Sequence, residues 1–117
     1  MKTAVIFGYG LAGKIFHGQL LHSIPGFEVI GILTGNDQRV SQAKSDFPHA
    51  LVSNDLDALL DLNPDLVIVA GANVTHMPHS RAALSRGINV VIDKPIAANA
   101  QAVAELGELA EANGVAV

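Results

Sequence analysis

Gly8, Gly10 and Gly13 in "VIFGYGLAGKIFHG" spell G-x-G-x-x-G, and Gly8, Gly13 and Lys14 of the same stretch spell G-x-x-x-x-G-K. Both spacings suit phosphate chemistry. Glycines let the backbone approach an anion, and a helix start offers free N–H groups and the positive end of its dipole. The ligands they imply differ. A triphosphate loop needs Ser or Thr after its lysine to hold Mg²⁺, and here that position is Ile15, which cannot ligate a metal. A dinucleotide turn needs a strand before it, a helix after it and a βαβ unit around it, and the flanking residues supply all three. Gly8 then permits the tight turn, Gly10 the approach of backbone to pyrophosphate, and Gly13 the close seating of helix on strand. The N–H groups near Leu11, Ala12 and Gly13 hold the anion; Lys14 reads as a solvated side chain, with aid to the phosphates as the lesser alternative.

A dinucleotide also presents a ribose at the end of the second strand, where an Asp or Glu would hold the 2′-hydroxyl of NAD. The residues there are Thr34, Gly35 and Asn36; Asp37 lies too far along, and Arg39 follows. A missing acid with a nearby arginine favours a 2′-phosphate. NADP is therefore expected over NAD, with Thr34 and Arg39 as contacts; the plainer alternative makes Arg39 a solvated helix charge.

Two further clusters carry chemistry-bearing residues. "AGANVTHMPH" holds Asn73, Thr75, His76 and His79, and "DKP" is Asp93, Lys94 and Pro95. His76 and His79 could share a helix face, but no third ligand accompanies them, which disfavours zinc. Asn73 and Thr75 read as turn and cap residues. Lys94 could offer a positive charge or a proton beside a substrate oxygen, against the simpler reading of an exposed turn. His17, on the first helix, reads as structural.

The elements that must position these residues alternate along the chain. Apolar strand runs are "TAVIFG", "FEVIGILTG", the short "HALVS", "LVIVAG" and "INVVID", with "VAV" (Val115 to Val117) as the start of another. Between them lie helical runs. "LAGKIFHGQLLHSI" stops at Pro25 and Gly26, and "DQRVSQAKSDF" closes at Pro48. "LDALLDL" is capped by Asn54 or Asp55, and "THMPHSRAALSR" by Thr75, with Gly87 as its stop. "NAQAVAELGELAEAN" is capped by Asn99 and ended at Gly114. Strict alternation with right-handed crossovers gives an α/β fold, a doubly wound parallel sheet in a single domain. Its ligands sit at the carboxyl ends of the strands, in the crevice between the first and the fourth.

The bulk properties agree with this. Half of the 117 residues are hydrophobic and only 4% are aromatic, so Ala, Val, Ile and Leu must build a sheet buried on both faces. A net charge of −4 with no basic run disfavours nucleic-acid and anionic-membrane partners. The chain has no cysteine. That excludes disulfides and thiolate chemistry and fits a cytoplasmic protein. No apolar run approaches the roughly 18 residues of a membrane span. The last strand run stops after three residues, which suggests a chain cut from something longer.

With these residues assembled, the sequence resembles the cofactor domain of the Gfo/Idh/MocA (glucose–fructose oxidoreductase / inositol dehydrogenase) family. The matching pieces are "GYGLAGKIFHGQLL", the "NVTH" loop with Asn73 and His76, "AALSRGINVVIDKP" and the helix after it. The resemblance implies a Rossmann-type NAD(P)-binding domain over 1–117, in an oxidoreductase moving a hydride between nicotinamide and a sugar- or polyol-like substrate. It makes Lys94 the catalytic or substrate-orienting residue and adds Asn73, His76, Asp93 and Pro95 to the cofactor contacts. The family's usual Glu-Lys-Pro is Asp93-Lys94-Pro95 here, and its usual Thr-Pro-Asn is Gly71-Ala72-Asn73. The "KIFHGQLL" helix resembles a sugar-related subgroup, part of which prefers NADP. The family's substrate domain, with its Asp, its His and most of the homo-oligomer interface, has no counterpart in these residues. This chain alone is thus expected to bind cofactor without turnover. A non-catalytic sensor of NAD(P) is the alternative.

Overall fold

The computed structural model of the chain describes residues 2–10, 25–93 and 99–117, with Asn73 described by its backbone only. Within them, β1 (Lys2–Phe7), β2 (Phe27–Leu33), β3 (Leu51–Ser53), β4 (Leu66–Val69) and β5 (Asn89–Ile92) form one sheet in the order β3-β2-β1-β4-β5. Every pairing is parallel. The helices are α1 (Asp37–Asp46), α2 (Leu56–Leu60), α3 (His76–Ser85) and α4 (Ala100–Ala112), with a 3-10 turn at Asn73–Thr75 before α3. The expected first helix lies outside the described residues.

The doubly wound arrangement follows from where the apolar side chains go. Ala4 to Phe7 are all fully buried, which requires cover on both faces of β1. One face sends Val5, Phe7, Val67, Val69 and Val90 against Leu59 and Leu60 of α2, Ala83 and Leu84 of α3, and Leu106 and Ala110 of α4. The other sends Ala4, Ile6, Val29, Ile32 and Ile68 toward Tyr9 and toward Ala43 and Phe47 at α1. Successive β1 residues therefore feed opposite cores, as the two-residue period of a strand demands.

Asp55 and Asn99 cap their helices as read from the sequence, and Asn36 adds a cap that the reading did not name. Asn36 Oδ1 accepts from the Arg39 N–H, Asp55 Oδ1 from Asp57 and Ala58, and Asn99 Oδ1 from Ala102. Each satisfies an N–H that the first helical turn cannot. Thr75 departs from the expectation. It occupies the N-cap position of α3 but makes no side-chain cap bond; its hydroxyl instead donates to Ala72 O at 2.6 Å. The 3-10 turn brings that carbonyl within reach, and the bond tightens the loop rather than the helix.

The expected strand at Val115 to Val117 also does not form. Val90 N–H donates to Ala116 O, but the next donor, Ala116 N–H, is taken by the side chain of Asn89. With the amide of Asn89 standing where a strand carbonyl would accept, the ladder holds a single backbone bond.

Candidate cofactor site

The sheet order places β1 beside β4; Tyr9, just after β1, packs in one core, and the helix after β4 packs in the other. A crevice opens at such a reversal. Its floor is held by four backbone bonds across the carboxyl edge. Thr34 N–H donates to Ser53 O, Gly8 N–H to Leu33 O, Ala70 N–H to Phe7 O and Asp93 N–H to Val69 O, each at 2.9 Å. The first residue beyond each of four strands is thus tied to its neighbour. Thr34, Gly8, the Ala70–Gly71 step and Asp93 stand in one row, although they are far apart in sequence.

At the centre of the row two glycines meet. Gly8 has φ +107°, and a Cβ built on it would lie 2.6 Å from the Cα and N of Gly71 and 2.9 Å from the carbonyl carbon of Ala70. A Cβ on Gly71 would in turn lie 2.9 Å from Thr75 Oγ1. The turns after β1 and β4 therefore touch backbone to backbone, with no room for a side chain on Gly8 between them. Such a close approach of bare backbone is what a dinucleotide turn uses to admit a pyrophosphate.

The other end of the row is the end of β2, where the sequence placed the ribose contacts. No carboxylate stands among Thr34, Gly35 and Asn36, and Thr34 itself is buried. The Arg39 side chain returns from the first turn of α1 to the glycine turn: its Cζ and a guanidinium nitrogen lie 3.7 Å from the place a Gly10 Cβ would take. Arg39 is exposed, so it is a solvated helix charge that also lies against the glycine turn.

Tyr9, which the motif reading passed over, fills the position between Gly8 and Gly10. Its ring is buried, meets Phe47 edge-on at 6.4 Å, and its hydroxyl donates to Asp46 Oδ2 at 2.6 Å. Burial, then the bond to Asp46, push its phenol well above its ordinary pKa, so it remains a donor. The signal was available: this is the chain's one tyrosine, placed inside the glycine turn.

His76 and His79 do different work. His76 is buried, with its Nε2 3.0 Å from Gly71 O, so its side chain grips the loop after β4. His79 lies edge-on to Phe7 with ring centroids 5.3 Å apart. Its buried Nδ1, like Ser80 Oγ, has no hydrogen-bond partner among the described residues. Among those residues no three His, Cys, Asp or Glu side chains converge as a metal site would need.

Burial, and secondarily His76, lower the pKa of His79. In the unfolded chain this imidazole takes up a proton near its ordinary value of about 6.5; in the fold it resists until lower pH. Its contribution is therefore lost as pH falls from about 6.5 toward the folded value. His79→Leu, which keeps an apolar contact to Phe7, is expected to shrink the drop in melting temperature between about pH 7 and about pH 5.5. An unchanged drop in parallel thermal melts would show that His79 is not its source.

Leu11, Ala12, Gly13, Lys94 and Pro95 lie outside the described residues, as does the side chain of Asn73. No described helix is long and apolar enough to cross a membrane.

Fold and crevice together define the class: a doubly wound dinucleotide-binding domain. The chain belongs to the Gfo/Idh/MocA oxidoreductase family, whose model, described as an oxidoreductase family with an NAD-binding Rossmann fold, matches residues 2–117. It is 36% identical over 111 residues to scyllo-inositol 2-dehydrogenase (NADP(+)) of Bacillus subtilis, covering 94% of this chain and 30% of that protein. The solved structure of the oxidoreductase yvaA of Bacillus subtilis matches with a TM-score of 0.92 at 34% identity, over 98% of this chain and 33% of that one. GenD2 from gentamicin A biosynthesis, solved in complex with NAD, matches with a TM-score of 0.89 at 25% identity, over 97% of this chain and 32% of that one. The chain spans roughly a third of the length of these relatives. It is the NAD(P)-binding domain of this family.

Proposed function

We propose that this domain prefers NADP to NAD and serves an oxidoreductase that moves a hydride between the nicotinamide and a hydroxyl- or carbonyl-bearing carbon of a sugar- or polyol-like substrate. The observation that carries the cofactor preference is the guanidinium of Arg39 over Gly10, beside a β2 end without a carboxylate. That arrangement suits a 2′-phosphate and offers a 2′-hydroxyl no acidic acceptor. The NADP-dependent scyllo-inositol dehydrogenase among the relatives supports the same reading, and supports a polyol-like substrate.

Within this proposal the cofactor supplies the hydride chemistry, and the protein binds and orients it. Gly8, Gly10, Leu11, Ala12 and Gly13 take the pyrophosphate, and Thr34 and Arg39 the adenosine ribose. Asn73, His76, Asp93 and Pro95 border the nicotinamide end. Lys94, following Asp93 at the end of β5, polarises the substrate oxygen. The proposed Asp and His of a substrate domain acting on the substrate hydroxyl, the homo-oligomer interface and the cytoplasmic setting rest on the family resemblance and on composition.

Titration of the purified chain with NADPH and with NADH, followed by nicotinamide fluorescence, tests the preference. NADPH is expected to bind at least about ten-fold more tightly, the worth of one charge-assisted contact, with negligible turnover of polyols by the 117-residue chain. Tighter binding of NADH, or robust dehydrogenase activity from this chain, refutes the respective part.

A further inference from the structure

The position of Arg39 depends on where α1 sits, and the structure contains a device that sets it. Arg39, Ala43 and Asp46 are spaced i, i+4, i+7, which puts them on one face of the helix. Two of them touch the glycine turn or the residue inside it, and the third shares that residue's core. Arg39 lies over Gly10. Ala43 is fully buried in the same apolar cluster as Tyr9. Asp46 accepts the Tyr9 hydroxyl at 2.6 Å. Phe47, whose N–H closes the helix on Ala43 O, meets the Tyr9 ring edge-on.

We infer that the Tyr9–Asp46 hydrogen bond is a positioning latch that fixes the height of α1 against the glycine turn, and so holds the Arg39 guanidinium where a 2′-phosphate would lie. A helix is a stiff rod, and Arg39 and Asp46 are about 10 Å apart along it. Fixing one end of the stripe therefore fixes the other. The turn does not depend on this bond. Gly8 is held to Leu33 O and seated on Gly71, so loss of the latch releases the helix and leaves the pyrophosphate cradle in place. The inference makes Tyr9 and Asp46 determinants of coenzyme choice that contact neither coenzyme's distinguishing group. It rests on the proposal that Arg39 recognises the 2′-phosphate.

The test is a set of NADPH and NADH titrations of the full chain carrying Tyr9→Phe, Asp46→Ala, Asp46→Asn, Arg39→Ala and the Tyr9→Phe/Arg39→Ala double variant. Tyr9→Phe and Asp46→Ala are each expected to weaken NADPH roughly five-fold, in the range of the net worth of one ordinary hydrogen bond, with NADH changed less than about two-fold. Asp46→Asn keeps an acceptor oxygen and is expected to stay close to the parent. In the Arg39→Ala background Tyr9→Phe is expected to change nothing further, because coupled residues are non-additive. Equal weakening of both coenzymes by Tyr9→Phe, or the same NADPH loss with and without Arg39, overturns the latch. An Arg39→Ala variant that reduces NADPH selectively while Tyr9→Phe does not overturns the latch alone. Unchanged discrimination in Arg39→Ala overturns the 2′-phosphate reading, and the latch with it.

Discussion

Gly8→Ala is expected to abolish measurable dinucleotide binding and to lower the melting temperature by roughly 10 °C or more. Two costs add at this position. Its φ of +107° lies where side-chain-bearing residues are rarely found, a strain of about 1–3 kcal/mol. The new methyl would also stand 2.6 Å from the backbone of Gly71. Backbone cannot rotate aside as a side chain end can, so β1 and β4 or the turns beyond them must part. Overpacking of this kind typically adds about 1–3 kcal/mol, against a total stability of about 5–15 kcal/mol for a typical domain. The displaced atoms are those of the crevice floor, so binding is lost along with stability. Gly87→Ala separates the two costs. Gly87 also has positive φ (+73°) but nothing within 4 Å of its would-be Cβ. It should lose about 1 kcal/mol and bind NADPH as the parent does. Thermal melts and fluorescence titrations of the two variants decide the matter; parent-like binding by Gly8→Ala would remove the Gly8–Gly71 contact from the site.

The contrast between those glycines marks how far the sequence could be read. Gly8 and Gly87 both announced a turn, and both turns are present. That Gly8 presses on Gly71 could not be read from either motif, because the contact joins two strand ends across the sheet. The strands themselves were legible where burial on both faces makes a continuous apolar run, as in "AVIF" of β1 and "LVIV" of β4. The parallel, doubly wound character of the sheet followed from alternation and handedness. Legibility fails where a local group competes with the repeating pattern. Asn89 takes the donor that would have extended a strand at Val115 to Val117, and Ala72 O takes the Thr75 hydroxyl that would have capped α3. It also fails where a side chain acts at a distance. Nothing in the spacing of "GYG" and "NDQRVSQAKSDF" tells that Tyr9 reaches Asp46 while Arg39 returns to Gly10. The stripe at Arg39, Ala43 and Asp46 is visible in the sequence only once the helix face is known to meet the glycine turn.

The last of these contacts has the largest consequence for coenzyme choice. Arg39→Ala is expected to raise the Kd for NADPH about ten- to a hundred-fold and to leave that for NADH within about two-fold, corresponding to roughly 1.5–3 kcal/mol for a hydrogen bond to a charged group. The side chain is exposed, so its field is shared with water and screened by salt. The preference of the parent for NADPH should accordingly shrink as ionic strength rises, while NADH affinity changes little. The effect is confined to one coenzyme because the Arg39 N–H bonded to Asn36 Oδ1 belongs to the main chain; removal of the side chain leaves the cap, and hence α1, intact. Arg39→Lys should fall between the parent and Arg39→Ala. It keeps the charge but loses the planar fork that can meet two phosphate oxygens at once. Equal weakening of both coenzymes in Arg39→Ala would mean that the guanidinium supports the glycine turn instead of reading the ribose, and the 2′-phosphate would then need another partner.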